Sequence, residues 1–584
     1  MSQPDWIVLA ITLTGIIAYG LYKSRTTHNL DGYILANRTL PWGLVLLSIM
    51  GTQASAITFL TAPGQAYDDG MRFVQYYFGL PIAMVVICIF FIPVFNRLKV
   101  YTAYEYLEKR FDNKTRTLTS FLFLLQRGLS TGISVFAPSI ILSTLLGWNI
   151  YWTNAFMGGL LIIYTISGGA KAVAYTQQLQ LIIIFTGMFL AAYMVVNMLP
   201  EGVGFSDALH TGGGLGKLNV ITTGFSNGQF DWGDQYNLFS GIIGGFFLAL
   251  SYFGTDQSQV GRYLTAKNLT ESRLGLLMNG IVKVPMQFLI LLIGVLVFSF
   301  YQFNKAPVFF NQSLVEKANK TKYSSQLTAI EAQYKENFSA IPGWQKELHE
   351  NKKNGNTTAV QELERKITEA NKNTEAARRE YKETIKKALP GEDTKDTNYI
   401  FLRFVVDYLP AGLVGLLIAI IFLASWGSIA AALNSLASST MVDFHKRFTK
   451  KQETPETEYR ISRWYTFAWG IFCIVVAMFA YDLGNSLIEA VNVLGSLFYG
   501  VILGVFLVAF FMKKITSGTA VFLAALLAEC VVLLVFALTR LDYFKLGFLW
   551  LNPIGAFGVI LFTLLLHAFF NEKTPPAGRV ASDH

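Results

Sequence analysis

The sequence predicts an all-α, polytopic membrane protein, and three observations carry that reading. First, 53% of its 584 residues are hydrophobic, and they come in blocks instead of the alternating faces of a large soluble chain. Second, blocks such as 73–95, 288–300 and 554–570, read with their flanks, suit a hydrocarbon layer that takes about 20 mostly apolar helical residues to cross. Third, the ~10-residue alternation of barrel strands is missing, and only helices and closed barrels satisfy every backbone group in lipid.

Thirteen transmembrane helices are expected, numbered here as spans 0 to 12. They run near 6–22, 42–66, 74–96, 117–145, 149–168, 175–198, 236–262, 274–303, 400–443, 463–481, 486–511, 517–538 and 548–570. The stretch 400–443 also holds a short surface helix ahead of its span. The first block has no basic region before it and Lys23 and Arg25 after it, so it reads as a retained span, not a cleaved signal. Basic loops, including Arg97/Lys99/Lys109/Arg110, Arg262/Lys267/Arg273 and Lys513/Lys514, all fall on one side. Positive loops stay in the cytoplasm. The N-terminus is therefore expected outside and the C-terminus inside, in the cell (inner) membrane.

The formal charge is +9. Residues 311–398 hold 16 Lys/Arg and 14 Asp/Glu, and most of the remaining charge lies in short loops. This is loop topology, and no nucleic-acid partner is expected. Cys88, Cys473 and Cys530 all fall inside spans and read as small hydrophobes. The sequence specifies no oligomeric state.

Residues 311–398 differ in kind. They are polar and rich in helix formers, with Glu364, Arg365, Lys366, Glu369 and Lys372 spaced for i,i+3 and i,i+4 pairs. Pro342-Gly343 and Asn354-Gly355 mark turns. A helical hairpin or coiled-coil-like insertion is expected outside the membrane, more a solvated module than a lid. The expected divisions are 1–310 (spans 0–7), 311–398 (insertion), 399–570 (spans 8–12) and 571–584 (cytoplasmic tail).

Two spans are interrupted. Residues 51–56, GTQASA, put polar and small residues in the middle of span 1. Span 6 does the same with Ser251, Gly254, Thr255, Asp256 and Gln257. Alone, the first could be a packing notch, since small residues let helices approach. The two lie five spans apart, however, and an odd-numbered repeat inverts topology. Paired broken helices in corresponding positions point to the binding site of an alternating-access transporter, where unwound carbonyls coordinate a cation. No GxxxxGK[ST] phosphate loop, metal-ligand spacing or nucleophile elbow is found, and the six histidines are not clustered. The chain is not read as an enzyme or an ATP-driven pump.

Six segments, in order, resemble the sodium/solute symporter family: DGYILANRTLPW (31–42), SAITFLTAPGQAY (55–67), YTAYEYLEKRF (101–111), SGGAKAVAYTQQLQ (167–180), GTDQSQVGRYLTAK (254–267) and AALNSLASSTMVDFHKR (431–447). The resemblance implies the five-plus-five inverted repeat of the leucine-transporter fold, over spans 1–5 and 6–10, with Na+ as coupling ion. It places sodium-site carbonyls at Gly51, Ala54 and Ala424 and hydroxyl positions at Gly427 and Ser428. Gly427 has no hydroxyl, and Gln177 stands where many members carry Asp. Ser425 is a candidate further oxygen. The solute positions it implies are Gln53, Ser55, Thr58, Tyr77, Lys283 and Val491, with Tyr252 as aromatic gate. Ile57, Tyr77, Ala249 and Val491 stand where sodium–sugar members place polar groups.

Arg127 in span 3 is costly in a membrane and needs a cavity or a partner. It reads either as a clamp for a solute carboxylate or as a structural pair with a carbonyl or Glu489. Glu489 and Glu529 read as structural or peripheral. The implied function is sodium-driven import of a small organic solute, a sugar, polyol or sugar-like acid. The alternatives are a small monocarboxylate symporter and a transporter-like sensor.

Overall fold

The computed structural model describes residues 1–24, 30–226, 228–392, 394–449, 453–480 and 487–570. The expected tail 571–584 lies outside the described residues. The principal helices are α1 (Gln3–Ser24), α2 (Trp42–Gln53), α3 (Ala56–Asp69), α4 (Asn113–Leu146), α5 (Ile150–Asn197), α6 (Gly245–Thr255), α7 (Gln257–Tyr263) and α8 (Leu269–Phe303). They continue as α9 (Gln312–Ala318), α10 (Ser324–Ser339), α11 (Ile341–Lys353), α12 (Thr357–Ala388), α13 (Thr397–Tyr408), α14 (Leu413–Ser439), α15 (Pro455–Phe479), α16 (Leu487–Phe511), α17 (Gly518–Arg540) and α18 (Leu551–His567).

Among the described residues, nine helices are long and apolar enough to cross a membrane. Trp42–Gln53, Ile150–Ile166 and Ser240–Thr255 are shorter apolar helices. Thirteen crossings therefore stay a sequence expectation. Spans 4 and 5 are the two helical segments of α5, Ile150–Ile166 and Gly169–Asn197, which meet at a kink where Gly169 leaves helical geometry (φ 61, ψ −178), a backbone that a residue without a Cβ adopts freely.

Both interruptions are real. α2 ends at Gln53, Ala54 takes φ −80, ψ 89, and Ser55 is extended at φ −91, ψ 172 before α3 begins. α6 ends at Thr255, and Asp256 (φ −75, ψ 119) opens α7 by accepting a hydrogen bond from the Ser258 amide at 2.7 Å, an N-cap of the usual kind. The buried bundle wraps these breaks, and α14 is buried along nearly its whole length.

The insertion is not a free hairpin. Its four helices, α9 to α12, enclose two small apolar cores. One is built on Leu314, Leu327, Ile330, Tyr334, Tyr381 and Ile385, the other on Leu348, Leu363 and Ile367. The module packs onto one end of the bundle. There Gln302 and Asn371 exchange side-chain hydrogen bonds of 3.0 Å, and His349 meets Thr211 at 3.1 Å. The short surface helix expected before span 8 is instead largely buried: α13 hides Ile400, Phe401, Leu402, Phe404 and Val405. Its apolar side faces α3, so burial there follows from the hydrophobic effect.

Candidate functional site

Between the two breaks lies a cavity of about 120 Å³. The first break supplies Gln53, Ser55, Ile57 and Thr58. Tyr76 and Tyr77 follow α3, Gln126, Arg127 and Ser130 come from α4, and α6 adds Ala249, Tyr252 and Phe253. α16 closes the wall with Val491, Asn492 and Tyr499. Seven of the eight expected solute positions thus share one wall: Gln53, Ser55, Thr58, Tyr77, Arg127, Tyr252 and Val491. Ile57, Ala249 and Val491 give it the expected apolar patches.

Lys283 does not line it. The side chain is fully buried, its Nζ sits 5.7 Å from the centroid of the Tyr77 ring, and it has no hydrogen-bond partner among the described residues. It is set back behind the wall that Tyr77 forms.

Arg127 pairs with neither Glu489 nor a lone carbonyl. Its Nε donates to Asp256 Oδ2 at 3.0 Å and its Nη2 to the same oxygen. Nη2 also donates to the Tyr499 hydroxyl at 2.9 Å. Tyr499 in turn donates to Asp256 Oδ2 at 2.6 Å, and the guanidinium stacks 5.2 Å from the centroid of Tyr252. The other carboxylate oxygen, Oδ1, accepts from the Ser258 amide and hydroxyl at 2.7 and 2.6 Å. Asp256 is fully buried while Arg127 keeps 12% side-chain exposure. A buried guanidinium needs a fixed counter-charge, and Asp256 stands beside it. Glu489 meets Gln235 at 3.3 Å and Lys395 at 3.9 Å instead.

Asp256 was legible as an intramembrane acid, but no local pattern ties it to Arg127, 129 residues away. Tyr499, Gln126, Ser130 and Asn492 carried no sequence signal of their own.

The helices that carry the expected ion ligands, α2 and α14, pack against each other and against α5. Ser428 Oγ donates to the Ala424 carbonyl at 3.0 Å. Gln177 reaches between the helices: its Oε1 accepts from Ser48 Oγ at 2.8 Å, and its Nε2 donates to Thr52 Oγ1 at 3.2 Å and to the Gly427 carbonyl at 3.0 Å. The two departures at 177 and 427 are linked. A Cβ on Gly427 would lie 2.5 Å from Gln180 Oε1 and 3.3 Å from Gln177 Cγ, so the amide side chains fill the space a residue-427 side chain would need. Gly51 is equally constrained, since a Cβ there would lie 2.9 Å from Gln177 Cβ. Ser425 Oγ is buried without a hydrogen-bond partner among the described residues, which fits an oxygen open to a ligand. The donor set of carbonyls and hydroxyls suits Na+.

The profile of the Sodium:solute symporter family matches residues 33–326 and 382–527. The chain belongs to this family. The symporter is 24% identical over 564 residues to the sodium/sialic acid symporter SiaT of Proteus mirabilis, covering 95% of this chain and 93% of the relative. It is 26% identical over 539 residues to the sodium-dependent multivitamin transporter of Oryctolagus cuniculus, covering 87% of this chain and 66% of that one. Over 305 residues it is 28% identical to the sodium/glucose cotransporter of Vibrio parahaemolyticus, covering 50% of this chain and 55% of the relative. A solved Na+-coupled sialic acid symporter, captured substrate-bound and outward-open, superposes with a TM-score of 0.73 at 22% identity, covering 97% of this chain and 98% of that one. That likeness establishes the fold, an inverted repeat of five plus five helices. The symporter is a multi-pass membrane transporter and not an enzyme, and its coupling ion is Na+.

Proposed function

We propose that this symporter imports a small, uncharged, polyhydroxylated solute, a sugar or polyol, with Na+ by alternating access. The observation that carries the reading is the charge balance of the cavity. Arg127 is the one charged residue lining it among the described residues, and Asp256 already holds that guanidinium. The other polar wall groups, Gln53, Ser55, Thr58, Tyr77, Gln126 and Asn492, are neutral donors and acceptors suited to hydroxyls. A solute carboxylate would have to displace a fully buried, five-fold hydrogen-bonded carboxylate from Arg127, which is costly.

In this proposal the Gly51, Ala54 and Ala424 carbonyls, the Ser428 hydroxyl and Ser425 hold the ion. The ion's binding favours one state and completes the solute wall, so the sites couple by differential affinity. Each ~100 mV of membrane potential adds about 2.3 kcal/mol per charge. We place the basic loops in the cytoplasm and the insertion outside a cell (inner) membrane. The second reading, a sugar-like acid or monocarboxylate, is favoured by Arg127 reaching the cavity at all; there the solute would replace Asp256 on the guanidinium.

Uptake into sodium-free proteoliposomes from an external medium of NaCl or of KCl, across matched pairs such as glucose/glucuronate and N-acetylmannosamine/N-acetylneuraminate, separates the readings. Sodium-dependent uptake of neutral members is expected. Preference for the acid of each pair would overturn the neutral reading. Deleting 315–395 should leave uptake measurable, whereas a sensor signalling through the insertion would show none in either form.

A further inference from the structure

We propose that the insertion is a latch on α3, the half of the broken first span that carries Thr58, and so restrains the motion of the solute site. α3 starts at the break and is 14 residues long, about 21 Å at 1.5 Å per residue. Its far end is gripped. Asp68 Oδ2 accepts from Thr397 Oγ1 at 2.6 Å, and Asp68 Oδ1 lies 3.8 Å from Arg378 Nη2. Thr61 Oγ1 donates to Asn398 Oδ1 at 3.0 Å. A side chain at Gly64 would collide with the Thr397 carbonyl oxygen, so the start of α13, where the chain leaves the insertion, lies directly on the helix backbone.

The grip is anchored inside the insertion. Asp396, fully buried, accepts from Arg378 Nη2 at 2.9 and 3.0 Å and pairs with Lys382 Nζ at 2.7 Å. It also accepts from the Phe310 amide at 2.8 Å. One carboxylate thus ties the entry of the insertion, its exit and its longest helix, α12, into a single body. Arg378 also faces the rings of Tyr67 on α3 and Phe310, at 5.9 and 5.0 Å. It therefore binds the insertion and α3 through one side chain. Residues 327–381, which include Arg378, lie outside the match to the family, whereas Asp68, Lys382, Asp396 and Thr397 lie within it. α3 runs continuously from Ala56 to Asp69 with Pro63 inside it, so a load at Asp68 reaches Thr58 through one helix, bent at the proline. Outward swing of α3 must first break the Asp68 contacts.

The test needs no solute, so its failure leaves the proposed substrate untouched. A cysteine at Gln65→Cys, a buried position on α3, is introduced into protein whose three free cysteines are replaced (Cys88→Ala, Cys473→Ala, Cys530→Ala), in detergent micelles, and labelled with a water-soluble maleimide. Arg378→Gln cuts the grip from the insertion side. Asp68→Asn weakens it from α3 and leaves the Arg378–Asp396–Lys382 cluster whole. Both are expected to speed labelling about fivefold or more, within the usual range of coupling between sites. Limited proteolysis of Asp68→Asn should keep the parental insertion fragments, which excludes simple unfolding of the module. Leu363→Ala, in the core remote from the grip, should leave the labelling rate near parental. Parental labelling in both Arg378→Gln and Asp68→Asn overturns the latch, as does equal acceleration by Leu363→Ala.

Discussion

The two interrupted spans are opened by different chemistry. At the first break, Ala54 and Ser55 leave the helix with no side-chain cap and no charge. At the second, one carboxylate caps α7 and binds Arg127 of α4 and Tyr499 of α16. A neutral break leaves backbone oxygens available for a ligand, whereas a charged break uses its polarity to fix three helices together. The contrast supports the proposal that the first interruption binds the ion, while the second holds three helices in register.

The comparison can be broken by substitution. Asp256→Ala should have the largest effect, since it strands a buried guanidinium at a cost of about 3–5 kcal/mol. Uptake should be lost and thermal unfolding should occur at clearly lower temperature. Adding Arg127→Gln to Asp256→Ala should recover part of that stability. No recovery would mean that the pair is not the source of the cost.

A smaller effect is expected where the first break packs. Gly427→Ser, which adds the hydroxyl that Gly427 lacks, meets the flexible end of Gln180, which can swing aside, and should cost less than about 1 kcal/mol. Gly427→Leu must also displace Gln177 Cγ and should cost about 1–3 kcal/mol. Equal stability of Gly427→Leu and the parent would refute the account of the 177/427 pair.

The insertion adds a pH test. Burial pushes the Asp396 carboxyl up, but Arg378 and Lys382, with the Phe310 amide, outweigh it and hold it below its ordinary value. A depressed value stabilises docking fully above the unfolded carboxylate range, about pH 4. The contribution is lost as pH falls through the folded value. In a His349→Gln background, which removes the imidazole whose burial holds it below its ordinary value, hydrogen exchange across 378–398 should be flat from pH 7 to about 4, after correction for intrinsic rates, and should rise only below that. The smallest effect belongs to Ser55→Ala: its hydroxyl makes no capping bond, and stability should stay within about 0.5 kcal/mol.

Much of this architecture was legible because membranes punish polarity. GTQASA and GTDQ stand out inside apolar runs, and the chain unwinds at Ala54–Ser55 and Asp256. The carry-over placed Gln53, Thr58, Tyr77 and Tyr252 on one wall because span-to-span packing preserves helix faces. What the sequence hid was pairing at a distance. Arg127 read as a free clamp or a Glu489 partner, because nothing local marks Asp256 as its counter-charge. Lys283 kept its place on α8, but Tyr77 stands before it. The insertion's helices were visible in composition, whereas their grip on α3 depends on Asp68, Arg378 and Asp396, which meet only in three dimensions.

The central claim is that the first break holds sodium through Gly51, Ala54, Ala424 and Ser428. Thermal unfolding of purified protein in NaCl against KCl at equal ionic strength tests it most directly, because a ligand that binds only the folded form raises its stability with concentration. The parent should be stabilised by NaCl alone, and Ser428→Ala should need about fivefold more sodium for the same gain, as expected for one lost hydrogen-bond-sized contact near 1 kcal/mol. Equal unfolding in both salts, or an unchanged sodium requirement in Ser428→Ala, would contradict it.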